Sequence, residues 1–280
     1  MRLLIPACLL LLSTATAHAQ PEEWSRPFPG HRVIGNLYSV GTWDLGCFLV
    51  TSDAGHILVN TGLVDSTPLI RANIESLGFR FEDIEILLTM QAHYDHAAAF
   101  AEIKEITGAS LLATADDAPL LEDGGISDPH FRGEYPFAPI AVDRILADGE
   151  VIELGDARLR VIEMPGHTPG SAGYAMTVRE NGRDYRVVLA NMGSMNPGLR
   201  LFDDPTYPGI AEDFAETFRR QLELEVDVWV AAHASQWGLH DKYQPGDPYD
   251  PEAFVDPEGL RRQVVHYQRL FEEALAAEQR

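Results

Sequence analysis

Two imidazoles and a carboxylate fall within four positions in His93-Tyr94-Asp95-His96, where an apolar run through Ile84, Ile86, Leu87 and Leu88 gives way to a helix-like segment. Imidazole nitrogen and carboxylate oxygen are both zinc ligands. A strand-to-helix turn holds its backbone on the scaffold and leaves its side chains facing a cleft. Asp95 and His96 are adjacent and cannot easily point the same way, so they can reach a different ion from the one His93 faces. Taken alone, the stretch also fits a helix cap at Asp95 beside two surface histidines.

The rest of the chain favours the metal reading. His167 follows the strand-like Leu159–Glu163 in Pro165-Gly166-His167-Thr168-Pro169-Gly170-Ser171, and His233 follows Val226–Ala231 in Ala232-His233-Ala234-Ser235. Histidines in loops after strands, flanked by Gly, Pro or small residues, are what a convergent metal site predicts. His31, His56, His130, His240 and His266 lack that setting and are expected to be surface or partly buried residues.

The elements that must carry these loops can be read from periodicity. Strands are predicted over Arg32–Gly41, Leu45–Thr51, His56–Asn60, Ile84–Thr89 and Ala109–Ala113. Apolar spacing predicts helices over Ser66–Leu77 and His96–Thr107, the second with Phe100, Ile103 and Ile106 inward. Further strands follow at Arg144–Ala147, Val151–Leu154, Leu159–Glu163, Ala172–Val178 and Tyr185–Ala190, with Asn181-Gly182 as a hairpin turn. Helices at Ile210–Leu222 and Leu260–Leu275 flank the last strand, Val226–Ala231. Strands, helices, strands, helices in that order predict an α+β, αββα sandwich: two similar halves packed sheet to sheet, helices outside. The Gly- and Pro-rich stretch Glu122–Ile140, carrying Phe131, Tyr135 and Phe137, predicts a long loop bordering the active site.

Residues 1–19 (MRLLIPACLLLLSTATAHA) combine Arg2, an apolar block and a small-residue Ala17-His18-Ala19 end, the pattern of a cleavable signal peptide too short to span a membrane. Export to a bacterial periplasm is therefore expected, leaving residues 20–280 as one domain without a linker. Cys8 leaves with the signal, so Cys47 cannot form an internal disulfide and is expected to be a buried small hydrophobe. The formal charge of −22 becomes one unit more negative when Arg2 leaves. Such a chain repels polyanions, which excludes nucleic acid as a partner; no membrane association and a monomeric chain are expected.

The pattern resembles the metallo-β-lactamase superfamily, whose usual loop is HxHxDH followed by a downstream Gly-His and a late His. Asn60-Thr61-Gly62-Leu63 is similar to the family's turn before the first helix, Gly166-His167-Thr168-Pro169-Gly170-Ser171 to its second ligand loop, and His233-Ala234-Ser235-Gln236 to the third as found in subclass B3. Gln91 stands where the first His of the motif is expected, as in the GOB-type branch of B3, which Ala190-Asn191-Met192 and Gln244-Pro245-Gly246-Asp247 also resemble. The resemblance implies one or two Zn²⁺ ions: Gln91, His93 and His167 at a first position, Asp95, His96 and His233 at a second. It implies hydrolysis of the β-lactam amide of penicillins, cephalosporins and carbapenems, with Asp95 orienting the attacking water. It points to Ser194 and Asn196 for the substrate carboxylate, although Met192 replaces a serine usual in B3. Phe131 and Tyr135 are the candidate substrate contacts of the long loop. A neutral amide at Gln91 against a full charge at Asp95 implies tighter binding at the second position.

Glyoxalase II-like thioesterases, lactonases and RNA-processing nucleases share the metal loop but typically bridge both ions with an Asp after the strand corresponding to Tyr185–Ala190. Between Tyr185 and Phe202 there is no Asp or Glu, and Asn191 and Met192 stand where that acid belongs. S-x-x-K is absent too, which disfavours a serine β-lactamase mechanism. A non-catalytic periplasmic zinc-binding protein fits less well, since structural zinc sites are closed by four protein ligands.

Overall fold

A computed structural model describes residues 20–280; the signal-peptide reading of residues 1–19 lies outside the described residues. Seven strands form the first sheet in chain order: β1 (His31–Ile34), β2 (Leu37–Ser39), β3 (Phe48–Ser52), β4 (Gly55–Val59), β5 (Ile84–Leu88), β6 (Ser110–Thr114) and β7 (Arg144–Leu146). It is antiparallel from β1 to β4 and parallel from β4 to β7. The second sheet is built from β8 (Val151–Leu154), β9 (Ala157–Glu163), β10 (Ala172–Glu180), β11 (Arg183–Ala190) and β12 (Val228–Ala231), in the order β12-β11-β10-β9-β8. Helices α1 (Thr67–Ser76), α2 (Tyr94–Ala97), α3 (Phe100–Thr107), α4 (Ala118–Glu122), α5 (Ile210–Leu222), α6 (Ala234–Trp237), α7 (Leu239–Lys242) and α8 (Gly259–Glu278) complete the sandwich.

Alternation along the strands explains the layering. In β3 and β4, Phe48, Val50, Ile57 and Val59 enter the apolar cluster shared with the second sheet, which contributes Leu159, Val161, Tyr174 and Val187. Leu49 and Leu58, one residue out of phase, enter a separate cluster with Ile70 and Ile74 of α1 and Phe100 and Ile103 of α3. A strand covered on both faces is apolar at successive positions. On the other side, Phe214 and Phe218 of α5 pack against Phe271 of α8, each pair with ring centroids 5.7 Å apart. Cys47 is fully buried, as expected. No helix among the described residues is long and apolar enough to cross a membrane.

Three local expectations are corrected. Arg32–Gly41 is not one strand but the hairpin β1–β2, turned at Gly35 in the left-handed region (φ 54°), where a Cβ would stand 2.7 Å from Val178 Cβ. The helix predicted over His96–Thr107 is two, α2 and α3. The His96 carbonyl accepts from Thr61 N at 2.8 Å, which ties the turn to the neighbouring loop rather than to a continuing helix. Ile106 points outward, 41% exposed.

Candidate metal centre

Every candidate ligand lies at the carboxyl end of a strand. Such ends open onto a crevice in α/β architectures, because connecting loops there are free to project side chains. β5 delivers Gln91, His93, Asp95 and His96, β9 delivers His167, and β12 delivers His233. Leu45 bridges to His233, and Gly46 N donates to Ala232 O at 2.7 Å, so the segment entering β3 of the first sheet is tied to the end of β12 in the second beside the site.

The side chains fall into two groups. His93 Nδ1 lies 3.1 Å from His167 Nε2. Nearby, His96 Nε2 lies 3.2 Å from His233 Nε2, and Asp95 Oδ2 lies 3.1 Å from His96 Nε2 and 3.5 Å from His233 Nε2. Asp95, His96 and His233 thus present three ligand atoms mutually within 4.8 Å. Gln91 is buried on the same loop, its Oε1 without a hydrogen-bond partner among the described residues.

The far nitrogen of each ring fixes what the near nitrogen can be. His93 Nε2 is 3.0 Å from an Asp128 oxygen, and His167 Nδ1 is 2.7 Å from the Ser194 carbonyl. Both acceptors demand a proton on the facing nitrogen, so in the neutral rings His93 Nδ1 and His167 Nε2 are bare lone pairs. Two lone pairs at 3.1 Å repel unless a cation lies between them. In the second group His233 Nδ1 donates to Asp44 Oδ2 at 2.9 Å, so that Nε2, once its proton is displaced, turns a lone pair toward Asp95 and His96. The donor chemistry and the unpartnered Gln91 oxygen therefore fit zinc.

Protonation agrees with that fit. Burial holds His96 below its ordinary value, and burial with the neighbouring His93 pushes His167 down to about 3, which leaves both as neutral donors. Burial raises Asp95, but His96 and His233 outweigh it and hold the carboxyl well below the usual range. Burial also lowers His233, and there the hydrogen bonds it donates to Asp44 and Asp95 prevail, raising it to about 9. Metal uptake would therefore displace a proton from this ring at neutral pH.

An aromatic wall stands over the groups. Phe131 packs edge-on to His93 with centroids 4.8 Å apart, and Tyr135 stacks on Tyr94 at 4.6 Å. The long loop Glu122–Ile140 does border the centre, as expected. Trp24, from the segment before β1, lies 5.6 Å from the His233 ring and 6.2 Å from Tyr94. Ser194 turns its carbonyl to His167, with its Oγ 3.4 Å from the same nitrogen. Asn196 Nδ2 is buried without a hydrogen-bond partner among the described residues, and Met192 is buried in the core.

Sequence reasoning missed Asp44, Asp117, Asp128 and Trp24. Asp117 follows β6 at a strand end, the setting that singled out the histidines, and Asp128 lies within the loop already expected at the site. Asp44 and Trp24 carried no comparable signal. Conversely, His31 and His56, expected to be surface or partly buried, are buried, 5% and 7% exposed.

Comparison with known proteins places this geometry. The metallo-β-lactamase superfamily profile matches residues 46–179. Among solved structures, the class B3 di-zinc metallo-β-lactamase LRA-12 from an Alaskan soil metagenome is 44% identical, covering 92% of this chain and 98% of its own, with TM-score 0.89. A β-lactamase from Chitinophaga pinensis is 41% identical over 94% of this chain and 100% of its own, TM-score 0.90. GOB-18 from Elizabethkingia meningoseptica is 39% identical over 93% and 97%, TM-score 0.90. Curated sequence relatives are more distant: hydroxyacylglutathione hydrolase of Rhodospirillum rubrum is 33% identical over 38% of this chain and 33% of its own length. That of Cereibacter sphaeroides is 32% identical over 68% and 62%. The chain spans less than two thirds of the length of these curated relatives. Agreement over more than nine tenths of the chain with the solved B3 enzymes is a family relationship, and the chain belongs to the class B3 metallo-β-lactamases of the metallo-β-lactamase superfamily.

Proposed function

We propose that the chain is an exported zinc-dependent β-lactamase that opens the β-lactam amide of penicillins, cephalosporins and carbapenems. The observation that carries this reading is likeness to β-lactamases at 39–44% identity over more than nine tenths of the chain. Gln91, His93 and His167 would hold one ion, and Asp95, His96 and His233 a second. Zinc bound there supplies a Lewis acid and brings the pKa of its water to about 7.

The protein's own residues do the rest. Asp128, Ser194 and Asp44 hold the imidazoles in the tautomer that points a lone pair inward. Asp95 is an ionised, buried carboxylate, able to accept a hydrogen bond from the attacking water and orient it. Trp24, Tyr94, Phe131 and Tyr135 form the apolar wall against which a bicyclic substrate rests, excluding bulk water. Ser194 Oγ and the unpartnered Asn196 amide are the proposed contacts for the substrate carboxylate. Gln91, where the family motif has a His, supports membership of the GOB-type branch and a tighter second position.

The hydroxyacylglutathione hydrolase relatives favour a second reading, thioester hydrolysis. Against it, Asn191 and Met192 stand where a bridging Asp is expected, and residues 185–202 contain no acid. The readings separate by assaying a penicillin, a cephalosporin and a carbapenem beside a thioester and a lactone. Lactam turnover with inert controls supports the proposal; thioester or lactone turnover alone overturns it.

A further inference from the structure

We infer that Asp117 is a positioning residue which holds the two loops of the first metal position in register, and does so for that position alone. The inference rests on the ligand assignment proposed above. Asp117 stands at the start of α4, where an Asp commonly caps the helix with its side chain, but it makes no such cap. Its carboxylate turns inward instead, and the residue is 1% exposed. Oδ2 accepts from Ala92 N at 2.9 Å and from Thr168 Oγ1 at 2.9 Å, and Oδ1 accepts from Gly170 N at 2.8 Å.

Ala92 lies between Gln91 and His93, while Thr168 and Gly170 follow His167. One carboxylate thus joins the loops that present all three groups of the first position, across 25 and 53 residues of chain. Two more bonds close the brace: Ala172 N donates to Met90 O at 2.9 Å and Thr114 Oγ1 to Gly170 O at 2.6 Å. A Cβ at Gly170 would stand 2.3 Å from Asp117 N, so the loop can approach this closely only as glycine. None of these bonds reaches Asp95, His96 or His233.

Three donors converge on two oxygens, so the site calls for a group that only accepts. Asn at 117 would set an N–H₂ against a backbone N–H and leave one buried donor unpaired. Partners behind a metal ligand typically change affinity 10- to 100-fold when removed.

The test is Co²⁺ titration of metal-free protein, followed by the exchangeable imidazole N–H proton resonances. Those of His93 and His167 report the first position and that of His233 the second. Asp117→Asn is expected to weaken the first position by about tenfold or more and to leave the second unchanged. Unchanged affinity at the first position, or equal loss at both, would overturn the inference. Should Asp117→Asn not fold, Thr168→Val decides: it removes one of the three bonds and is expected to cause a smaller loss confined to the first position, whereas no loss, or one shared by both positions, overturns it. His167→Ala separates the two layers, because first-position binding that survives it would refute the ligand assignment and not only the role of Asp117.

Discussion

His233 Nδ1 lies 2.9 Å from Asp44 Oδ2, a contact that spans 189 residues and settles which face of the imidazole carries its lone pair. The other Asp44 oxygen accepts from Ser235 N at 3.0 Å, so the carboxylate grips both the ring and the loop that bears it. Burial opposes the charge, but the bond to His233 wins and holds Asp44 down at about 2.

Asp44→Ala should therefore weaken the second metal position by about 10- to 100-fold while the sandwich stays folded. Zinc competition against a chromophoric chelator, with circular dichroism as the folding control, measures it. Unchanged affinity would show that the loop alone orients His233.

Gln91→His should act in the opposite direction at the first position. The Gln91 amide oxygen is neutral and has no hydrogen-bond partner among the described residues, and imidazole is the better zinc donor. The same competition experiment should show first-position affinity rising by about tenfold or more. A fall or no change would mean the side chain does not face that position.

Phe131→Ala tests the aromatic wall. Phe131 contacts His93, Tyr94 and Tyr135 and sits on a loop at partial exposure, so its loss should spare stability. KM for a bicyclic lactam should rise several-fold, with kcat and metal content retained, as expected for losing an aromatic contact of about 1 kcal/mol. A fall in kcat at constant KM would instead give Phe131 a role in holding His93.

How much of this was legible in the sequence depended on the range of the interaction. Leu49 and Leu58 alternate with their neighbours, so strand phase and the helical cover over β3 and β4 could be read locally. The histidines announced themselves because each follows an apolar strand in a small-residue loop. Asp44 could not, since an acid in a loop looks the same whether it faces solvent or a ring 189 residues away. The break between α2 and α3 was hidden for a similar reason: its cause is a backbone bond from Thr61, 35 residues upstream of His96. His31 illustrates the remaining gap, because its burial comes from stacking on Tyr243 at 4.1 Å and packing edge-on to Phe28, contacts that no local pattern encodes.

That buried His31 gives a pH prediction away from the metal centre. Burial pushes it down to about 4 from an ordinary 6.5. The unfolded chain therefore takes up more protons between those values, and stability falls as pH drops from 6.5 to 4, by at most about 3 kcal/mol. Above 6.5 the ring is neutral in both states and the effect vanishes. His31→Phe, which keeps an aromatic ring against Tyr243, should flatten this acid limb in urea unfolding measured at stepped pH. An unchanged slope would place the ring's neutral preference elsewhere.

The most direct test of the account is lactam hydrolysis by residues 20–280 at graded zinc, before and after chelation. Turnover that vanishes on chelation, returns with added zinc, and is abolished by both His167→Ala and His233→Ala is the predicted result. Lactam turnover that survives complete metal removal, or that persists undiminished in both histidine variants, would contradict it.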